Sequence, residues 1–399
     1  MSLQSYIELA KKQNPQMRIA NAEVASNIAS LHSTRSRLLP QVNGQASAGR
    51  SMAQVSPPFS GVVYDNNYSA GISGQQLLWD FGKSYFATRA GSTLIAAARE
   101  DAISSLQSVV LNAKTAYFNY LLSQMLLATA LDALSQAQAH LDQAKILFEI
   151  GKQPKYTVTA AEATVANATV SVITAKNGLR LAKVQMEVAA GVGLGDSLEL
   201  TDSLVALEPD ITRERAHAIA GDSLPQLVSL RARLEAARLQ LISAKTALFP
   251  SLNATAGAGY GSRDVYASDW NQNWSVGVNL SVPIFEGGFL VASVETAKAS
   301  YDQAKATLDE NVQNALSAVD QAYYSKAEAA ERIIATQKLI ESSQQSLQLA
   351  QERFAAGAAA SLEVTDAEVT LANAKSSHAQ ALYDYRTGHA KLLAAMGLQ

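Results

Sequence analysis

Trp274-Ser275-Val276-Gly277-Val278-Asn279-Leu280-Ser281-Val282 is the stretch on which the fold turns. Apolar Trp274, Val276, Val278, Leu280 and Val282 alternate strictly with Ser275, Gly277, Asn279 and Ser281. Strand side chains point to opposite faces with period two, so this segment reads as a strand with one apolar and one polar face. Just upstream, Leu252, Ala254, Ala256, Ala258 and Tyr260 alternate with Asn253, Thr255, Gly257 and Gly259. Segments 41–54 and 67–78 do the same less cleanly, through Val42, Ala46 and Ala48 and through Tyr68, Ala70 and Ile72. Arg50 is the only charged residue in all four. Segments of about ten alternating residues are typical of outer-membrane strands, although a strand of a soluble sandwich alternates too. Tyr64, Tyr68, Trp79, Tyr260, Tyr266, Trp270 and Trp274 lie at strand ends or in adjoining loops, where membrane-interface aromatics belong.

Working outward, the chain matches itself. A shift of 206 residues takes Tyr68-Ser69-Ala70-Gly71-Ile72 onto Trp274-Ser275-Val276-Gly277-Val278, and Phe148-Glu149-Ile150-Gly151 onto Phe354-Ala355-Ala356-Gly357. It also takes Thr164-Val165-Ala166-Asn167-Ala168 onto Thr370-Leu371-Ala372-Asn373-Ala374, and Ala189-Ala190-Gly191-Val192 onto Ala395-Met396-Gly397-Leu398. Leu39-Pro40-Gln41-Val42-Asn43 matches Phe249-Pro250-Ser251-Leu252-Asn253 at a shift of 210. We read a tandem duplication: a first repeat over 1–190, a connector over 191–212 and a second repeat over 213–399. Each repeat is expected to run helix, strand, loop, strand, long helix, tight turn, helix. In the first these are 3–38, 41–54, 55–66, 67–78, 83–149, 150–155 and 156–190; in the second, 213–248, 251–262, 263–271, 272–282, 287–355, 356–360 and 361–396. Pro40 and Pro250 end the first helix of each repeat, and Gly151 and Gly357 suit the left-handed position that closes a long one.

A helix of about 70 residues is on the order of 100 Å long. Leu127, Leu134, Leu141 and Phe148 recur every seven residues, and the shift places Ile333, Ile340, Leu347 and Phe354 on them. Leu308, Val312, Ala315, Val319 and Ala322 alternate four and three, which is coiled-coil spacing. Alanine supplies 71 of 399 residues and aromatics only 7%, a composition for long helices in close approach. Two isolated hairpins on such helices leave sheet edges open, which lipid does not tolerate, and four strands cannot close a barrel. If the strands span a membrane, the chain oligomerises: eight strands from a dimer or twelve from a trimer.

Taken together, these features resemble the TolC family of outer-membrane efflux and secretion channels over nearly the whole chain. The resemblance rests on the duplication, the paired strands after Leu39-Pro40 and Phe249-Pro250, and the two hairpin tips around Gly151 and Gly357. It implies a mainly α fold with transmembrane β: antiparallel coiled-coil helices forming a trimeric α-barrel tunnel, continuous with a twelve-stranded outer-membrane barrel of four strands per chain. It implies a homotrimer in the outer membrane of a Gram-negative bacterium, extending into the periplasm. Its partners are outer-membrane lipid, a periplasmic adaptor and an inner-membrane transporter of the RND, ABC or MFS type. Adaptor docking falls to the tips, Gly151, Lys152, Gln153 and Pro154 in the first and Gly357, Ala358 and Ala359 in the second. The interface aromatics are Tyr68, Trp79, Tyr260, Trp270 and Trp274.

The same resemblance maps the family's acidic aperture onto Glu363 and Asp366, six carboxylates in three copies, which would attract cations. A plainer reading stands beside it: Ser361 caps the helix, and acids in its first turn favour the macrodipole. The family's charged latch maps onto Phe354, Ala359 and Thr157, none of which can form it.

Enzyme chemistry finds no support. Gly82-Lys83-Ser84 lacks the earlier glycine of a phosphate loop, Gly191-Val192-Gly193-Leu194-Gly195 lacks the dinucleotide spacing, and Gly71-Ile72-Ser73-Gly74 is no nucleophile elbow. His32, His140, His217, His378 and His389 are scattered and read as helix-surface residues, so no metal or other cofactor is expected. Zero cysteines exclude disulfides, and a net charge of −3 gives no footprint for nucleic acid. No secretory signal opens the sequence, which fits either a cytoplasmic protein or a mature chain whose leader has been removed. The leading expectation is a passive exit duct of a tripartite efflux or type I secretion system. The alternative is a non-conducting periplasmic coiled-coil scaffold.

Overall fold

The computed structural model describes residues 1–55, 61–195, 199–204, 211–263 and 270–398. In order, the elements are α1 (Leu3–Gln13), α2 (Pro15–Ser36), β1 (Gln41–Val55), β2 (Gly61–Trp79), α3 (Lys83–Glu149) and α4 (Lys155–Ala190), then α5 (Arg213–Ser223), α6 (Pro225–Thr246), β3 (Ser251–Ser262), β4 (Asn271–Ser281), α7 (Phe289–Ala355) and α8 (Ser361–Ala395). The order ααββαα thus occurs twice. α3 and α7 are 67 residues each, helices that only packing along their length can sustain.

The first helix of each half departs from expectation. Segment 3–38 is two helices broken at Asn14, and 213–248 is two helices broken at Leu224. Pro15 and Pro225 are responsible: each starts a helix well but bars the preceding residue from helical geometry. Asn14 (ψ 127°) and Leu224 (ψ 116°) are accordingly extended. α2 and α6 end at Ser36 and Thr246, one turn before Pro40 and Pro250. β2 begins at Gly61, so part of the loop expected over 55–66 is strand. Tyr266, most of the second strand loop and Pro209 of the connector lie outside the described residues.

The chain forms two compact units, each drawing on both halves of the sequence. One comprises 1–21, 101–228 and 311–399. Its main core gathers Tyr6, Ala113, Tyr117, Phe118, Leu121, Leu122, Ala182 and Met186, with the Tyr6 hydroxyl donating to the Met186 carbonyl at 2.8 Å. Ala113 and Ala182 are less than 2% exposed, as close helix approach requires. Gly191, at φ +74°, closes α4 against the α1–α2 break: a Cβ there would lie 2.9 Å from Asn14 Cα, Gln13 O and Pro15 Cδ. Gly397, at φ +79°, closes α8 in the same way, 3.1 Å from Leu224 Cα and Ser223 O. The connector is tied to this unit by Asp202, which accepts from the Leu3 amide (2.6 Å) and the Tyr117 hydroxyl (2.8 Å).

The other unit comprises 22–100 and 229–310 and carries an antiparallel sheet in the order β1-β2-β3-β4. Val42 faces Gly74, Gly71 faces Gly259 and Ala258 faces Trp274, so the even-numbered apolar residues share one face. That face is bare: Val42, Ile72, Trp274, Val276, Val278 and Leu280 are all more than 60% exposed. β1 and β4 are open edges, and every residue of β4 is exposed.

Candidate functional site

The helical hairpins end in two turns of the same construction. Gly151 and Gly357 both adopt φ +73°. Lys152 donates its amide to Leu147 O (2.8 Å) and Gly151 to Phe148 O (2.9 Å), while Ala358 donates to Arg353 O (2.9 Å) and Gly357 to Phe354 O (3.0 Å). This is the paired bonding that satisfies the last carbonyls of a helix before the chain reverses. Pro154 and Ala360, both extended, then start α4 and α8 without a side-chain cap. Gly151, Lys152, Pro154, Gly357 and Ala358 are exposed, and Gln153 and Ala359 half-buried.

Ser361 does not cap α8, contrary to the plainer expectation. It is the first helical residue, and its hydroxyl is bound to His140 Nε2 at 2.8 Å. His140 is buried, not a surface residue, and its ring lies 4.9 Å from that of Phe354. Burial lowers its pKa below the ordinary histidine value. Phe354 is fully buried with Leu147, Leu347, Ala350, Val364 and Leu371. Of the three latch positions, Phe354 and Thr157 are buried, Thr157 donating its hydroxyl to Gln153 Oε1 at 3.3 Å, and Ala359 is half-buried. On α3 the most buried positions differ from the expected ones: Ala137, His140, Ala144 and Leu147 are buried, Leu127, Leu134 and Leu141 are half-buried, and Phe148 is 42% exposed. Alanine hides the true stripe from a reading that looks for large residues.

Glu363 and Asp366 stand one turn apart on the same face of α8, Glu363 half-buried and Asp366 exposed. Arg353 Nη1 donates to Glu363 Oε1 at 2.8 Å, so one of the two acids carries its own counter-charge. The sequence reading missed Arg353, although it directly precedes Phe354. It also missed Glu368, which is 6% exposed with both carboxylate oxygens buried and unpartnered. Burial pushes this carboxyl up to about 7. Glu368 borders a cavity of about 680 Å³ lined by α3, α4 and α8.

On the sheet, Tyr68, Tyr260 and Trp274 lie toward the β1–β2 and β3–β4 loops, Trp270 directly precedes β4, and Trp79 ends β2 at the helical side. Trp79 is 6.1 Å from Phe81, whose ring stacks on Phe249 at 5.4 Å. Both ends of an uncovered apolar face thus carry aromatics.

The family model for outer membrane efflux proteins matches residues 6–192 and 220–398. The chain belongs to the outer membrane efflux protein family. Among relatives of this family, the alkaline protease secretion protein AprF of Pseudomonas aeruginosa is 26% identical over 96% of this chain and 82% of its own length. Outer membrane protein TolC of Escherichia coli is 26% identical over 99% of this chain and 82% of its own length. The fold matches the CmeC outer membrane channel of Campylobacter jejuni with a TM-score of 0.87 at 22% identity, covering 99% of this chain and 85% of that one. VceC of Vibrio cholerae matches with a TM-score of 0.84 at 21% identity, covering 99% and 96%. Membership places this efflux protein in the outer membrane and its work in export.

Proposed function

We propose that three copies of this chain close a twelve-stranded barrel and a helical tunnel beneath it, making a passive exit duct. The observation that carries the reading is the four-stranded sheet with both edges open and its apolar face bare. Neither survives in water or lipid without neighbours. Tyr68 and Trp79 are separated by about 11 strand residues, or ~36 Å at the usual rise. At a tilt of about 40° this spans ~28 Å of membrane, close to the apolar band of outer-membrane barrels. The hairpin tips around Gly151–Pro154 and Gly357–Ala359 serve as the docking points for a periplasmic adaptor that couples the duct to an inner-membrane transporter. The duct itself moves cargo without catalysing a reaction.

Glu363 and Asp366 are the aperture acids of this reading, with Arg353 tempering the first. Extraction from outer membranes should require detergent and give a particle of three chains with conductance in a planar bilayer. Recovery from soluble periplasm as a non-conducting protein would favour the scaffold instead. In the duct, replacing Glu363 and Asp366 together by alanine raises conductance and weakens block by multivalent cations; unchanged values would remove the gate from these residues.

A further inference from the structure

Each half of the chain carries one motif on the helix that follows its hairpin tip. Glu162-Ala163-Thr164-Val165-Ala166-Asn167-Ala168 lies on α4 and Glu368-Val369-Thr370-Leu371-Ala372-Asn373-Ala374 on α8, at the shift of 206 residues that relates the halves. The two copies meet at one cavity of about 680 Å³, which both Asn167 and Asn373 line. Its remaining wall is α3, and the segments that enclose it belong to one compact unit. The two acids differ. Glu162 is exposed, whereas Glu368 is 6% exposed in the cavity wall, with neither carboxylate oxygen partnered.

The chemistry of the wall is one-sided. Ser123, Thr129, Thr164, Ser171, Thr174 and Ser376 each donate the hydroxyl to the carbonyl four residues back on their own helix, at 2.9–3.1 Å. A hydroxyl has one proton to give, so what these six still offer a guest is lone pairs. Leu126, Ala133 and Val369 supply apolar surface between them. Among the described residues of the lining, Glu368 is the only ionisable one. Charges on the same helices lie off it: Asp132 of α3 and Lys375 of α8 pair with each other at 3.1 Å, and Lys176 of α4 and Asp366 of α8 are exposed. A carboxylate held among apolar groups is costly unless a cation joins it. A hard divalent ion does not fit, since it needs six or more oxygens and the lining holds one carboxylate. A protonated amine needs only acceptors, and an apolar body attached to it covers the rest of the wall.

We propose that this cavity binds an organic cation, an amine carrying an apolar body, with its ammonium group on Glu368 and its body against Leu126, Ala133 and Val369. A guest held there ties α8 of the second hairpin to α3 and α4 of the first. Every residue of the site belongs to a single chain, so the proposal goes beyond the duct and does not depend on how copies assemble. Burial pushes the Glu368 carboxyl up to about 7, so the carboxylate that the cation needs forms as pH rises through that value. Below it, binding has to expel a proton.

Phenethylamine, cationic throughout the pH range used, and 2-phenylethanol, nearly the same shape without the charge, are the probes. Both are titrated calorimetrically into full-length protein in detergent. At pH 8 the amine should bind at least tenfold more tightly than the alcohol, and at least tenfold more tightly to the wild type than to Glu368→Gln. At pH 5.5 the advantage of the wild type over Glu368→Gln should vanish. At pH 6.5, titration in two buffers of different ionisation heat should show protons released by the wild type and none by Glu368→Gln. Glu162→Gln, the same change on the exposed copy of the motif, should bind as the wild type does. No binding to the wild type at pH 8, or equal binding of amine and alcohol, overturns the site. Equal binding to Glu368→Gln, or an equal loss in Glu162→Gln, removes Glu368 from it and overturns the proposal as well. None of these results bears on conductance, which tests the duct separately.

Discussion

Single side chains at the helical hairpins carry charge that the surrounding packing does not answer. Glu368 is the clearest case, because burial holds its carboxyl at about 7 against 4.5 for the ordinary group. Between those two values the folded state keeps a proton that the unfolded state has released, so stability falls as pH rises through that window. The full penalty, on the order of 3 kcal/mol by linkage, is present above pH 7 and absent below 4.5. Glu368→Gln should therefore raise the melting temperature at pH 8 and leave it unchanged at pH 4, as followed by circular dichroism in detergent. Arg353 is the opposite case, a cation spent on Glu363, one of the two acids proposed for the aperture. Removing it as Arg353→Ala should strengthen block by divalent cations in bilayer recordings, the reverse of removing the acids. Glu363 and Asp366 were named by a resemblance alone, and the conductance experiment tests their role. Arg353 and His140 were not legible, since their significance lies in partners ten and 221 residues away.

At the level of elements, local rules set the ends and tertiary contacts set their cost. Gly151 and Gly191 share the left-handed backbone, at φ +73° and +74°, yet their surroundings differ. A Cβ on Gly151 meets nothing within 4 Å, whereas one on Gly191 meets three atoms at 2.9 Å. Gly151→Ala should cost about 1 kcal/mol, the backbone penalty alone. Gly191→Ala should cost roughly twice that or more, because the α1–α2 break has to give way. Chemical denaturation of the two variants side by side checks the difference. The long helices and the strands were legible within a few residues, since period and composition persist along them. The breaks at Asn14 and Leu224 were also written locally, in Pro15 and Pro225, and an apolar pattern continuing past them hid the signal. The burial stripe of α3 could not be read, because alanine on several faces leaves the choice of face to the neighbouring helix.

For the molecule as a whole, the detergent and conductance experiment tests the duct. The amino-acid sequence by itself determined the alternating strands and the length of the helices, for these rest on periodicities of the chain, and its internal matches at shifts of 206 and 210 residues are the basis for reading a duplication. It also determined that four strands are too few to close. Only the tertiary structure decided that the hairpins join through β2 and β3, that Gly71 and Gly259 leave no room for a side chain, and that Phe354 is buried against His140. The physical reason is range. Helix and strand periods are set by the backbone within a few residues, whereas steric exclusion and burial depend on atoms brought together from opposite ends of the chain.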